Sequence, residues 1–279
     1  MSTFELSGFD LHAFVTATLA EDLGEGWPGG GRDVTSESVI PADARFAGVM
    51  DSRDAIVVCG LPIAEAFFRA LDPDMAIEIL HEEGAQVPAG TALMRLSGNA
   101  RAMLTAERSA LNTVQHLSGV ATMTQDYVRA MGDTHAVLLD TRKTIPGLRH
   151  LEKYATRTGG AQNHRLGLWD AAMIKVAGGV GEAVRRAMNA GVARIICEVD
   201  AIEQIEPALA AGANYLLLDN MTPQELRACV ELVAGRVPCE ASGGVRLDTI
   251  AAIAASGVDF VSVGRLTQSA PAADIGLDF

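Results

Sequence analysis

The fold of this chain is decided by the stretch RIICEVDAIEQIEPALAAGANYLLLDN, which runs from Arg194 to Asn220. Two apolar runs, RIICEV and YLLLD, enclose an amphipathic segment that ends in Gly212, and glycine is the usual residue after a helix. A strand, a helix and a second strand in this order are typical of a parallel βα unit. Glu198 and Asp219 fall near the carboxyl ends of the two predicted strands, where parallel barrels place their chemistry.

The same alternation of strand and helix covers the chain from Ala136 onward. Six apolar runs are predicted strands, at residues 136–140, 171–175, 194–199, 215–219, 237–242 and 260–264. An eight-stranded barrel needs two more βα units, which the N-terminal third does not supply. We therefore predict an α/β fold, with an incomplete six-stranded parallel βα barrel and an N-terminal α+β open-sheet domain.

The first third of the chain has a mixed pattern. Helical periodicity covers residues 10–22, 62–71 and 100–131, the last with Gly119 as a candidate break, and short strands are predicted at 46–50, 55–60, 76–80 and 91–98. We place the N-terminal domain at residues 1–115, joined by the C-terminal tail 270–279. The βα-barrel catalytic domain is predicted at 116–269.

Composition narrows the choice of partners. The 279 residues carry a formal net charge of −13, which disfavours binding to nucleic acid and to anionic membranes. The four cysteines form no C-x-x-C pair, so a zinc site is not expected and a reducing compartment fits. No signal peptide or apolar run long enough to cross a bilayer is recognised. These features predict a cytoplasmic protein that acts on small molecules.

Polar residues or glycine follow all six predicted strands, and in a parallel barrel these positions form one rim. Arg142, Lys143, Arg165 and Lys175 make a cationic floor, with His164 if it is protonated, and this floor suits a multiply anionic substrate. Two carboxylates, Glu198 and Asp219, suit magnesium or sugar hydroxyls. The remaining strand ends offer bare backbone N–H groups to a phosphate, at Ser242, Gly243, Gly244 and Gly264.

Each rim residue also has an ordinary structural interpretation. Asp219 or Ser242 could cap the helix that follows it. Lys175 could be a surface lysine whose stem covers apolar neighbours. Glu198 could form a structural ion pair, and His164 a structural hydrogen bond. The joint pattern favours a site, because otherwise six unrelated accidents would have to coincide at six strand ends.

Beyond these positions, the sequence resembles the quinolinate phosphoribosyltransferases along nearly its whole length. The resemblance is carried by LAEDLG, ARAMLTAERSALN, HLSGVATMT, DTRKTIPGLRHLEKYA, GGAQNHRLGL, AGANYLLLDNM, EASGGV and DIGLDF. The order and spacing of DTRKTIPG, NHRLGL and EASGG are specific to this family. The resemblance implies that quinolinate and phosphoribosyl pyrophosphate give nicotinate mononucleotide, carbon dioxide and pyrophosphate, with magnesium, in de novo NAD synthesis.

The resemblance also implies roles for individual residues. The two quinolinate carboxylates would be held by Arg142, His164, Arg165 and Lys175, with Thr141 lining the pocket. Catalytic roles fall to Lys143, which faces the pyrophosphate, and to Glu198 and Asp219, which hold the ribose hydroxyls and the magnesium ion. The 5′-phosphate would be held by Ser242, Gly243, Gly244 and Gly264.

Arg108 is a special case. It matches an arginine that the family supplies from the neighbouring subunit, which implies a homodimer with shared active sites. Its ordinary interpretation is an ion pair on a helix surface, for example with Glu107.

One segment departs from the family pattern. After its Ile-Lys pair the family has an acid and then Asn-His-Ile, whereas here Lys175 is followed directly by Val176-Ala177-Gly178-Gly179. Either part of a substrate-side loop is lost, or residues are omitted from the sequence, and we favour omission because every other landmark is intact. A separation of about 3.8 Å between the Cα atoms of Lys175 and Val176 would indicate a true bond.

Four other functions remain open at this point. One is a paralogue of the same fold, such as the proteins encoded beside molybdate transporters, although DTRKT together with NHR favours the biosynthetic enzyme. Another is a nicotinate phosphoribosyltransferase, which would not need so many cations for a monocarboxylate. The others are a sugar-phosphate aldolase barrel with Lys175 or Lys143 as a Schiff base, and a non-catalytic metabolite-binding protein.

Overall fold

The computed structural model describes residues 4–24, 26–175 and 180–279, with Val180 described by its backbone alone. The junction of Lys175 and Val176, on which the question of omitted residues depends, lies outside the described residues. The described elements follow one another as α1 (Leu11–Leu23), α2 (Val34–Val39), β1 (Arg45–Ser52), β2 (Ile56–Val57), α3 (Leu61–Leu71), β3 (Ala76–Ile79), β4 (Gln86–Val87), β5 (Thr91–Asn99), α4 (Ala100–Ala130), β6 (Val137–Leu139), α5 (Arg149–Thr158), β7 (Ala172–Lys175), α6 (Val180–Asn189), β8 (Ile195–Val199), α7 (Ile205–Ala210), β9 (Tyr215–Asp219), α8 (Pro223–Val233), β10 (Cys239–Ser242), α9 (Ile250–Ala254), β11 (Phe260–Ser262), α10 (Arg265–Gln268) and β12 (Ile275–Asp278).

These elements form two compact units. The first contains the described residues up to Met123, together with His150–Gly159 and Ala270–Phe279. The second contains Thr124–Arg149 and the described part of Gly160–Ser269. The predicted domain limits, 1–115 and 116–269, stay a prediction, because compact units within one folded chain do not show which segments fold independently.

The first unit is built on an antiparallel sheet with the strand order β12-β1-β5-β3. The C-terminal strand joins its edge, so that Asp278 pairs with Val49. Helix α1 starts where the Asp10 carboxylate accepts the Ala13 N–H at 2.9 Å, as an N-cap does. Its Phe14 lies 5.9 Å from Phe67 of α3, ring centroid to ring centroid. The core of this unit therefore has a helical layer in which aromatic rings pack together.

Helix α4 differs from its prediction at one position. The helix is continuous from Ala100 to Ala130, so Gly119 does not break it. Instead, a Cβ atom at Gly119 would collide with the carbonyl group of Pro271. The glycine therefore allows the segment that leads to β12 to approach the helix closely.

The second unit is built on a six-stranded parallel sheet with the order β6-β11-β10-β9-β8-β7. The predicted α/β class is confirmed: six parallel strands form one sheet, and an antiparallel sheet lies in the other unit. The residues YLLL of β9 are all buried, which explains why the strand reads as an uninterrupted apolar run. Within the described residues, the edge strands β6 and β7 each pair with a single strand, as expected for an incomplete barrel.

The strand register brings the carboxyl ends of neighbouring strands together. Lys175 at the end of β7 pairs with Glu198 of β8, and Asp219 at the end of β9 pairs with Ser242 of β10. The rim predicted from the sequence is therefore one continuous edge of this sheet. Among the described helices, none is both long enough and apolar enough to span a bilayer.

Candidate functional site

A cavity of about 760 Å³ lies at this edge, and residues of the second unit line it. Its lining includes every site residue predicted in that unit: Thr141, Arg142, Lys143, His164, Arg165, Lys175, Glu198, Asp219, Ser242, Gly243, Gly244 and Gly264. Groups from all six strand ends therefore share one hollow, which is of the size used for small-molecule ligands.

The cationic floor is formed by two arginines that lie close together. Arg165 is only 9% exposed, and its Nη1 donates a hydrogen bond of 2.8 Å to the carbonyl oxygen of Ala171. Burial and the positive charge of Arg142 lower the pKa of Arg165, and Asp170 offsets part of this effect. The Nε atom of Arg142 is buried and has no hydrogen-bond partner among the described residues. An anion placed between the two guanidinium groups would relieve both the repulsion and the unsatisfied donor.

Lys175 and Glu198 form an ion pair across the β7–β8 ladder. Lys175 Nζ lies 2.9 Å from Glu198 Oε1, and the glutamate side chain is 12% exposed. The hydrogen bond to Glu198 and the charge of this carboxylate raise the pKa of Lys175. Lys175 therefore stays protonated, which suits an anion-binding residue and opposes a Schiff-base nucleophile, since such a lysine needs a lowered pKa.

Asp219 is oriented by its neighbour Asn220. The Asn220 Nδ2 group donates to Asp219 Oδ2 at 2.9 Å, and the Asn220 backbone N–H donates to the Ser242 carbonyl oxygen at 2.8 Å. This geometry places Asn220 in the left-handed region, at φ 56°. A Cβ atom at Gly243, where φ is 91°, would collide with the Asn220 side chain and lie 2.9 Å from Asp219 Oδ1, so the glycine leaves room for both side chains.

The capping interpretation of Asp219 and Ser242 is not borne out. Helix α8 is capped by Thr222, whose Oγ1 accepts the Glu225 N–H, while the Glu225 carboxylate accepts the Thr222 N–H at 2.7 Å. Helix α9 begins at Ile250, and its N-cap position is Thr249. Neither Asp219 nor Ser242 is therefore the N-cap residue of the helix that follows it.

Lys143 lies against the last strand end. A Cβ atom at Gly264 would lie 2.6 Å from Lys143 Cδ, so the aliphatic part of Lys143 occupies the space that the glycine leaves. The Thr267 hydroxyl group donates to the Lys143 carbonyl oxygen at 2.7 Å and anchors its backbone. The ammonium group is thus directed to the glycine-rich side of the cavity.

His164 has partners for both ring nitrogens. Its Nδ1 accepts the Arg165 backbone N–H at 2.8 Å, and its Nε2 lies 3.2 Å from Glu240 Oε2. The Tyr215 hydroxyl group donates to the same carboxylate oxygen at 2.7 Å. The structural hydrogen bond considered for His164 from the sequence is therefore present.

Some residues of this region were not among the predicted site residues. Glu240, Asn220, Arg246, Arg265 and Gln268 also line the cavity. The signal for Glu240 was a charged residue inside the otherwise apolar run VPCEAS, and the signal for Asn220 was its place next to a strand-end aspartate.

Arg108 is not among the residues that line this cavity. It belongs to the first unit, its side chain is 69% exposed, and its Nη2 lies 3.3 Å from Glu107 Oε1. The ordinary interpretation, an ion pair with Glu107, is therefore found in the single chain.

The donor set can be compared with the needs of a divalent metal. Among the described residues, no three histidine, cysteine, aspartate or glutamate side chains are grouped as a metal cage. Glu198 and Asp219 nevertheless face one cavity. Magnesium commonly binds one or two protein carboxylates and takes its other ligands from phosphates and water, so these two residues fit it.

Known proteins resemble the chain over both units. Residues 33–118 match the N-terminal domain of quinolinate phosphoribosyl transferase, and residues 120–278 match the C-terminal domain. The probable nicotinate-nucleotide pyrophosphorylase (carboxylating) of Bacillus subtilis is 37% identical, over 98% of this chain and 94% of its own length. The Mycobacterium leprae nicotinate-nucleotide pyrophosphorylase (carboxylating) is 40% identical, over 89% of this chain and 91% of its own length.

A solved structure agrees with these matches. The nicotinate-nucleotide pyrophosphorylase of Francisella tularensis superposes with a TM-score of 0.89 at 37% identity, covering 96% of this chain and 95% of that one. Sequence, fold and the composition of the cavity lead to the same conclusion. The chain belongs to the quinolinate phosphoribosyltransferase family.

Proposed function

We propose that this chain transfers the phosphoribosyl group of phosphoribosyl pyrophosphate to quinolinate, with loss of carbon dioxide, in de novo NAD synthesis. The observation that carries the proposal is the pair of neighbouring guanidinium groups, Arg142 and Arg165, in a cavity that Lys175 also lines. Quinolinate is a dianion with two adjacent carboxylates. Three cations at one side of a cavity match that charge better than they match a monocarboxylate.

Each predicted site residue of the cavity has a role in the proposed reaction. Arg142, Arg165 and Lys175 hold the quinolinate carboxylates, and family resemblance adds His164 and Thr141 to this group. The pyridine nitrogen forms a bond to the anomeric carbon as the bond to pyrophosphate breaks. The carboxylate next to the nitrogen then leaves as carbon dioxide, and a proton takes its place on the ring. Lys143 stabilises the leaving pyrophosphate electrostatically, and no covalent enzyme intermediate is required.

The glycine-rich side of the cavity suits the other end of the sugar. We assign the 5′-phosphate to Ser242, Gly243, Gly244 and Gly264, where backbone groups are accessible to phosphate oxygens. Glu198 and Asp219 would hold the ribose hydroxyls and a magnesium ion. When bound, the ion would neutralise charge on the pyrophosphate.

The assembly and location are also proposals. We propose a homodimer in which Arg108 of one subunit completes the site of the other. Family resemblance supports this arrangement. We propose a cytoplasmic location from the composition and the buried, unpaired cysteines.

The alternatives differ in what they require of the cavity. A Schiff-base aldolase would need a lysine with a lowered pKa, whereas the pKa of Lys175 is raised. The molybdate-associated paralogue would have altered pocket residues, whereas the paired arginines suit the biosynthetic substrate.

The test is turnover by the purified chain. With quinolinate, phosphoribosyl pyrophosphate and Mg²⁺, we expect nicotinate mononucleotide, carbon dioxide and pyrophosphate in equal amounts. Nicotinate in place of quinolinate should give no carbon dioxide and little product. Chelation of Mg²⁺ should abolish turnover, and its return should restore it. Absence of product from quinolinate, with verified folding, would refute the proposal and favour the paralogue.

A further inference from the structure

Strand β10 carries a carboxylate in its interior, at Glu240. This residue is fully buried, and it also borders the cavity. Burial raises the pKa of Glu240, but the lowering effects of His164, Ser262 and Tyr215 together outweigh it, so the pKa lies below its ordinary value. A buried carboxylate is costly unless donors surround it. The partners of Glu240 therefore indicate what it does.

These partners define the protonation of His164. A backbone N–H can only donate, so the 2.8 Å bond from Arg165 N to His164 Nδ1 leaves Nδ1 without a proton. The ring proton then lies on Nε2, which is directed at Glu240 Oε2 at 3.2 Å. With both nitrogens engaged inside the protein, the orientation of the ring is fixed.

The same contacts determine the position of Arg165. The His164 backbone N–H donates to Asp140 Oδ1 at 2.8 Å, so both the ring and the main chain of His164 are held. The next residue is Arg165, and its backbone N–H donates a hydrogen bond to the His164 ring. Rotation of this ring would release the Arg165 main chain, and a displacement of about 1 Å at a substrate-positioning group is enough to weaken binding and rate.

We propose that Glu240 is a positioning residue that acts through His164: it holds the imidazole as the Nε2–H tautomer, and this ring fixes the backbone that presents Arg165 to the quinolinate carboxylates. The substrate named here rests on the proposed function. His164 then serves as a link between Glu240 and Arg165, in addition to the contact with quinolinate that the family resemblance implies.

The first experiment needs no substrate. Nitrogen-15 NMR of histidine-labelled protein reports the protonation of each ring nitrogen, and a His164→Gln variant identifies the His164 signals among the six histidines. We expect a slowly exchanging Nε2–H and an unprotonated Nδ1 in the native protein. In Glu240→Ala, the Nε2–H should exchange rapidly. A native His164 with its proton on Nδ1, or an unchanged signal in the variant, would overturn the proposal.

The second experiment separates positioning from a general loss of stability. Glu240→Ala should raise KM for quinolinate about 10-fold while KM for phosphoribosyl pyrophosphate changes less than about twofold. Tyr215→Phe is the matched control, because it removes a hydrogen bond from the same carboxylate oxygen without touching His164. Glu240→Gln keeps an acceptor for the Nε2–H and should restore KM for quinolinate.

Failure can be assigned to one proposal or the other. If Glu240→Ala does not fold, Glu240→Asp replaces it, since one methylene less withdraws the carboxylate from His164 and should raise the same KM. An equal rise for Tyr215→Phe, or parallel rises in both KM values, would overturn the positioning role. Absence of turnover by the native protein would instead refute the proposed function, and the NMR result would still decide the link between His164 and Glu240.

Discussion

At the scale of single residues, the cavity shows how glycine and lysine positions depend on each other. Gly264 was predicted as a bare phosphate contact, but the side chain of Lys143 lies across it. The two residues come from different strand ends, 121 positions apart in the chain (264 − 143). The Thr267–Lys143 hydrogen bond of 2.7 Å holds the backbone that makes this contact. Gly264 therefore determines where a cation stands, whether or not it also contacts a phosphate.

Replacing Gly264 by alanine should act through Lys143. The new Cβ would lie 2.6 Å from Lys143 Cδ, so the lysine must move. We expect kcat/KM for phosphoribosyl pyrophosphate to fall about 10-fold, the loss of one charge-assisted hydrogen bond. In a Lys143→Ala background the same replacement should have little further effect, because the two changes then share one cause.

Gly181→Ala is the control for a glycine replacement as such. A Cβ at Gly181 would meet Ala211 Cβ at an ordinary 3.5 Å, so activity should not change. If the Gly264→Ala and Lys143→Ala effects simply add, the contact does not position the lysine.

At the scale of elements, a helix cap and a site residue lie close together and are easily confused. Asp219 ends β9, and Thr222, only three residues later, is the N-cap residue of α8. The sequence alone leaves both as candidates for the cap, since aspartate and threonine are each favoured at that position. The structure resolves the question, because Thr222 and Glu225 form a capping box. The Thr222 side chain accepts the Glu225 N–H, and the Glu225 side chain accepts the Thr222 N–H.

Substitutions at these two positions should therefore have opposite effects. Thr222→Ala should lower the free energy of unfolding by about 1 kcal/mol and leave kcat unchanged. Asp219→Asn should leave the free energy of unfolding within about 0.5 kcal/mol of the native value and reduce turnover strongly. Urea unfolding and steady-state kinetics measure the two quantities. A large loss of stability in Asp219→Asn would return Asp219 to a structural role.

The elements also show what could and could not be read from the sequence. The six parallel strands were predicted because each is a run of buried apolar residues, as YLLL in β9 is. Helix α5 was missed because its buried face includes Glu152 and Lys153, and a buried charge conceals an apolar pattern. Glu152 is satisfied by His116 Nε2 at 2.8 Å, a partner 36 residues away.

The residues of the cavity also fall into a group that the sequence predicted and a group that it did not. Residues at strand ends were predicted because the topology alone places them at one rim. Glu240 and Tyr215 were missed because they lie within strands, and their connection to His164 exists only after the strands pair. Local pattern is sufficient for the first group, whereas the second depends on contacts between distant segments.

At the scale of the whole molecule, the chain carries a net charge of −13, whereas Arg142, Lys143, Arg165 and Lys175 line one cavity. Screening limits the surface charge to a range of about 8 Å at physiological ionic strength. The local cations therefore determine what is bound inside the cavity. The net negative charge of the chain disfavours binding to nucleic acid and to anionic surfaces.

The proposed homodimer gives a prediction at this scale. Arg108→Ala and Lys175→Ala chains should each be nearly inactive alone. After mixing in equal amounts and exchanging subunits, half of the dimers are mixed, and each mixed dimer contains one intact site. Activity should therefore return to about one quarter of the native value. The control mixes Arg108→Ala chains with chains that carry both Arg108→Ala and Lys175→Ala. This mixture should regain no activity. No recovery after verified exchange would refute the shared site.

The left-handed backbone of Asn220 limits how this position can vary among related enzymes. Glycine and aspartate also tolerate that conformation, but glycine has no side-chain amide and aspartate would repel its neighbour. Selection for activity should thus accept almost no replacement at position 220. A library of all twenty amino acids at this codon, grown under dependence on the enzyme, should return asparagine nearly alone.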